Sequence, residues 1–72
     1  MHSLKLVNYE VNGKEWLLTK MPDGREVLID VSGIDYILPN ASDEGYTDIN
    51  MSGGDTVTVD APFKEFKKWS EL

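Results

Sequence analysis

A chain of 72 residues with 40% hydrophobic side chains and a net charge of −6 is a single folded domain, and an acidic one. Chains this short bury only about 60% of their unfolded surface, and zero cysteine with a single histidine removes disulfides and zinc as compensation. Phosphates would be repelled by such a charge, so direct nucleic-acid binding is excluded as an expectation.

The chain opens with an alternating segment, Leu4–Val11, in which Lys5, Val7, Tyr9 and Val11 share one face and Leu4, Leu6, Asn8 and Glu10 the other. Asn12-Gly13 follows, a dipeptide that accepts positive φ at both centres of a tight hairpin turn. Glu15–Met21 is apolar on both sides and is expected as a central strand. Pro22-Asp23-Gly24 makes the next turn, with Pro presetting φ and Gly taking the left-handed position. Arg25–Val31 alternates with Val27, Ile29 and Val31 inward and Glu26 and Asp30 outward, until Ser32-Gly33 breaks it.

Ile34–Leu38 is a short apolar run stopped by Pro39, and Asn40–Gly45 is a polar loop. Tyr46–Met51 and Asp55–Asp60 flank Ser52-Gly53-Gly54 as a second hairpin, with Val57 and Val59 facing the core. The helix signal lies at the end. Asp60 is the expected N-cap, Pro62 fits the first turn, and Phe63, Phe66 and Trp69 or Ser70 recur at helical spacing, with Lys64, Lys67 and Lys68 on the other side. About ten residues of helix cannot persist alone, so this one must dock on the sheet. The expected fold is mainly β (α+β): an antiparallel sheet or partly open barrel of five to six strands, with one short C-terminal helix covering an end.

Charge is segregated along the chain. From Glu26 to Phe63 there are eight acidic residues and no lysine or arginine: Glu26, Asp30, Asp35, Asp43, Glu44, Asp48, Asp55 and Asp60. All seven bases lie outside, at Lys5, Lys14, Lys20, Arg25, Lys64, Lys67 and Lys68. Small soluble proteins carry charge for solubility alone. A base-free stretch of 38 residues across several strands goes further, since carboxylates sharing a face repel one another.

No motif names a reaction. His2 is the only imidazole, there is no Cys nucleophile, and no Ser sits in a strand-to-helix elbow with a base at hand. Asp43-Glu44-Gly45-Tyr46-Thr47-Asp48 has oxygens enough to raise calcium, but lacks the alternating ligand spacing and closing Glu of a calcium loop. Neither enzyme nor metal nor cofactor is expected. The three lysines near the end make too small a patch for nucleic acid, and Phe63, Phe66 and Trp69 serve better as core than as a groove-docking face. No apolar run approaches the ~18 residues of a membrane span or forms a signal peptide. The triplets Asn40-Ala41-Ser42 and Asn50-Met51-Ser52 are therefore chance matches to the glycosylation signal. A cytoplasmic location, in a bacterial host, is the expectation.

Leu18-Thr19, Gly24, Val27-Leu28-Ile29, Ile34-x-x-Ile37, Thr47-x-Ile49, Gly53-Gly54 and Val57-x-Val59 together resemble the small flagellar-operon proteins of the FlbD or SwrD type, over about two thirds of the chain. The chain departs from that pattern in an N-terminal strand and a longer polar loop at Asn40–Gly45. The resemblance implies a small sheet with a terminal helix and a motility accessory role, and carries over no functional residue. Beside it stands a second expectation: a non-catalytic acidic binding module, of the kind phages use as inhibitors or regulators. It would present Glu26, Asp30, Asp35, Asp43, Glu44, Asp48 and Asp55 to a basic, nucleic-acid-binding surface of a partner protein. Such a chain would act as a monomer or weak homodimer.

Overall fold

The computed structural model describes residues 6–70. His2, Leu4 and Lys5, expected as a terminus and the start of the first strand, lie outside the described residues. Six strands and one helix follow in order: β1 Val7–Val11, β2 Lys14–Lys20, β3 Glu26–Asp30, β4 Ile34–Pro39, β5 Thr47–Met51, β6 Thr56–Val59 and α1 Phe63–Ser70, with a 3₁₀ turn at Val31–Gly33. The mainly β architecture with a short C-terminal helix is as expected. The six strands do not curl into one partly open barrel, however. They form two antiparallel three-stranded sheets, ordered β1-β2-β3 and β4-β5-β6.

Local chemistry accounts for the division. The Asp30 side chain accepts from the Ser32 N–H at 3.0 Å and so caps the 3₁₀ turn, which ends β3 and starts β4 in a new sheet. The hairpins form where turn chemistry requires them. Asn12 and Gly13 adopt φ of 53° and 81°, the pair of positive values that a two-residue turn between right-twisted strands demands. Gly24, at φ 94°, closes the β2–β3 turn with its N–H on the Met21 carbonyl at 2.9 Å. β2 is the central strand of its sheet, as its two apolar faces predict.

Both sheets turn one face onto a shared core. Leu17 of β2, Ile29 of β3, Ile49 of β5, Val59 of β6, Ala61 and Phe66 of α1 are buried together, with Leu6, Val27, Val31, Ile37, Val57 and Trp69 packed against them. A backbone bond from the Asp60 N–H to the Lys20 carbonyl at 2.7 Å ties the end of β6 to the end of β2. The helix begins at Phe63, two residues later than an N-cap at Asp60 requires. α1 docks through Phe66, whose ring meets Trp69 edge-on at 6.0 Å, while the Trp69 indole N–H donates to the Asn8 carboxamide oxygen of β1.

One irregularity decides which side chains reach the core. Strict alternation would put Ile34 and Ile37 on opposite faces of β4. The register shifts between Ile34 and Tyr36, so that Ile34 lies across from Met51 and Ile37 across from Ile49. The extra residue, Asp35, bulges, and both isoleucines join the core. Tyr36 and Leu38 consequently face outward.

Candidate interaction surface

The outer face of the second sheet is built from two cross-strand rows. Tyr36, Asn50 and Thr56 lie side by side, and next to them Leu38, Asp48 and Thr58. Hydrogen bonds run along the rows: the Thr56 hydroxyl donates to Asn50 Oδ1 and the Thr58 hydroxyl to Asp48 Oδ1, each at 2.9 Å. Asn40 Nδ2 donates to the same Asp48 oxygen at 2.9 Å. Tyr36 and Leu38, 51% and 49% exposed, project from this ordered polar ground. Alternation in an apolar run hides such residues, because only the bulge at Asp35 sets their phase.

The acidic block divides between the sheets. Glu26 and Asp30 sit at the two ends of β3 on the outer face of the first sheet, where Glu26 lies across from Lys20. Asp30 is engaged: it accepts from the Ser32 hydroxyl at 2.7 Å and pairs with Lys14 Nζ at 3.0 Å. The Ser32 hydrogen bond first, and the Lys14 ammonium with it, holds the Asp30 carboxyl below its ordinary value.

The other five carboxylates expected to meet a partner, Asp35, Asp43, Glu44, Asp48 and Asp55, belong to the second sheet and its loops. Asp35 is the exposed bulge residue, and Asp55 is exposed in the β5–β6 hairpin. Asp43 and Glu44 are exposed in the Asn40–Gly45 loop, where Asp43 Oδ1 accepts the Gly45 N–H at 2.8 Å. That loop is ordered from within, since Asn40 Oδ1 also accepts the N–H groups of Ser42 and Asp43 at 2.9 and 3.0 Å. Asn40 Oδ1 and Asp43 Oδ1 are thus taken up by the loop's own backbone. Among the described residues no three His, Cys, Asp or Glu side chains cluster as metal ligands would.

Sequence segregation thus becomes segregation in space. Residues 31–59, which form the second sheet, hold five carboxylates and no base. Residues 6–30, which form the first, hold five carboxylates with three bases. Glu26 and Asp30 therefore do not share a face with Asp48.

The first sheet has an outer face of a different kind. Val7, Leu18 and Leu28 form one row, Tyr9, Trp16 and Asp30 the next, and Val11 lies across from Lys14. Val7, Tyr9, Val11 and Leu28 are 37–50% exposed. Among the described residues no helix is long and apolar enough to cross a membrane. No family model matches the chain, and comparison with curated proteins and with solved structures finds no significant match.

Proposed function

We propose that this protein is a non-catalytic binding module whose second sheet engages a basic surface of a partner protein, of the sort that otherwise holds nucleic acid. The observation that carries this is the outer face of β4–β6, where Tyr36 and Leu38 are exposed and the segment 31–59 that builds the sheet supplies Asp35, Asp43, Glu44, Asp48 and Asp55 with no base. A lysine- or arginine-rich partner meets only attraction there, and electrostatic steering speeds the encounter. Tyr36 supplies the amphipathic anchor on which interfaces concentrate binding energy. The hydrogen-bonded rows beneath hold the strand positions fixed, so little ordering opposes association.

Charge contact rests on the exposed Asp35, Glu44 and Asp55; Asp43, exposed as well, accepts the Gly45 N–H, and exposed Glu26 belongs to the first sheet. Asp48 positions the Asn40–Gly45 loop through Asn40. The test is capture from host lysate followed by binding kinetics with the captured protein, for the wild type, the triple variant Asp35→Asn/Glu44→Gln/Asp55→Asn and Tyr36→Ala. The triple variant should associate more slowly and show a shallower salt dependence. Tyr36→Ala should dissociate about tenfold faster or more at unchanged salt slope. Equal binding by all three proteins at every salt concentration would overturn the proposal.

A further inference from the structure

The outer face of the first sheet is absorbed neither by the core nor by the proposed function. Its register places an apolar band across all three strands: Val7, Leu18 and Leu28 in one row, with Tyr9 and Trp16 beside them. Tyr9 and Leu28 are 50% and 47% exposed. Contiguous exposed apolar surface on a chain this small marks a contact site.

Each end of the band is closed by one base and one acid. Lys20 lies across from Glu26 at one end, and at the other Lys14 pairs with Asp30 at 3.0 Å while its ammonium stands 4.9 Å from the centre of the Trp16 ring. An apolar centre with a charged rim is the anatomy of a protein interface. We infer that this face binds a second copy of the same chain, as a two-fold dimer with the β1-β2-β3 sheets face to face.

Charge selects that occupant. The chain carries −6, so two copies repel each other across most of their surfaces. This face holds Lys14, Lys20, Glu26 and Asp30, which balance, and both rims carry both signs. A copy turned about a two-fold therefore finds a carboxylate near each lysine at whichever end it meets, as a self-complementary interface requires. A strongly basic partner is drawn instead to the second sheet, where no lysine opposes it. The dimer leaves both acidic faces outward, ready to engage two basic sites at once.

Sedimentation of the full chain over a wide concentration range tests this. The wild type should show the mass of two chains, dissociating on dilution. Leu28→Asp and Tyr9→Lys each put an unpaired charge inside the band, and should raise the dissociation midpoint about thirtyfold or more with far-UV circular dichroism unchanged. Tyr9→Lys, on an exposed edge-strand side chain, keeps the test decisive should Leu28→Asp perturb folding. Isotope-filtered NMR on mixed labelled and unlabelled chains should show intermolecular contacts among Tyr9, Trp16 and Leu28. The triple variant of the second sheet should keep the two-chain mass, which separates this inference from the proposed function. A single-chain mass at millimolar concentration, a dimer unchanged by both first-sheet variants, or filtered contacts mapping to β4–β6 would overturn it.

Discussion

Thr19 and Thr47 are both buried on inner strand faces, and they differ in what surrounds one oxygen. The Thr47 hydroxyl donates to the Ala61 carbonyl at 2.6 Å, joining β5 to the segment that leads into α1. The Thr19 hydroxyl is buried with no hydrogen-bond partner among the described residues. A satisfied buried hydroxyl stabilises, whereas an unsatisfied one carries its full desolvation penalty. Thr47→Val should therefore lower stability by about 1–2 kcal/mol, and Thr19→Val, nearly the same shape, should leave it unchanged or raise it. Urea unfolding of the two variants checks the opposite signs; equal losses would mean that the Thr19 hydroxyl is bonded after all. Asp30 makes a pH prediction. Its folded-state pKa is lowered from 3.8 by Ser32 and then Lys14, so its contribution is present above the ordinary carboxylate value and fades as pH falls through the folded value. Asp30→Asn should melt lower than wild type at neutral pH, and the gap should close in strong acid. A gap that persists at pH 2 would assign the loss to packing and not to charge.

Elements were legible in the sequence wherever turn chemistry dictated them. Asn12-Gly13, Gly24 and the Ser52–Gly54 hairpin each required backbone freedom that few residues supply, and Gly24 and Gly54 have φ of 94° and 101°. The apolar alternation of Val27 and Ile29 gave the inner face of β3, and Phe66 with Trp69 gave the docked face of α1. The division into two sheets was not legible, because it depends on the Asp30 cap and on a register shift at Asp35 that leaves no compositional trace. The helix starts at Phe63, two residues later than an N-cap at Asp60 requires, and the Asp60 N–H goes to the Lys20 carbonyl. Two consequences can be measured. Phe66, 3% exposed, is the one large side chain α1 fully buries, and Phe66→Ala should cost about 3–5 kcal/mol and release the helix; an unchanged melting temperature would place the ring outside the core. Asn12→Val forces a β-branched residue to φ near 53°, at about 1–2 kcal/mol. Because β1 is an edge strand that, among the described residues, pairs with β2 alone, its amides should lose hydrogen-exchange protection before those of β5, the centre of the other sheet.

At the scale of the whole molecule, the charge map and the outer faces of the sheets matter together. The acidic block was plain in the sequence, but its partition was not: the carboxylates of β3 face Lys20 and Lys14, whereas those of residues 31–59 face no base of their own sheet. Tyr36 and Leu38 were hidden as an ordinary apolar run, and the Val7–Tyr9–Val11 face gave no sign of whether it turned inward or outward. Composition cannot reveal which face a sheet leaves uncovered. The partition makes a prediction that needs no partner. Asp35, Glu44 and Asp55 are exposed side chains of a sheet segment with no base, Asp35 and Asp55 toward its Ile34–Met51 end and Glu44 toward its Pro39–Thr47 end. The repulsion within its five carboxylates is therefore relieved by no base of that sheet and is screened by salt. Neutralising them as Asp35→Asn/Glu44→Gln/Asp55→Asn should raise the melting temperature by a few degrees at low ionic strength, with the gain disappearing as salt approaches 1 M. Glu26→Gln removes a carboxylate that lies across from Lys20, so it should bring no gain or a slight loss under the same conditions. Differential scanning calorimetry of the three proteins across a salt series distinguishes the two positions. A triple variant that melts with the wild type at low salt would show that these carboxylates are too well solvated to feel one another, and that the acidic sheet carries its charge without strain.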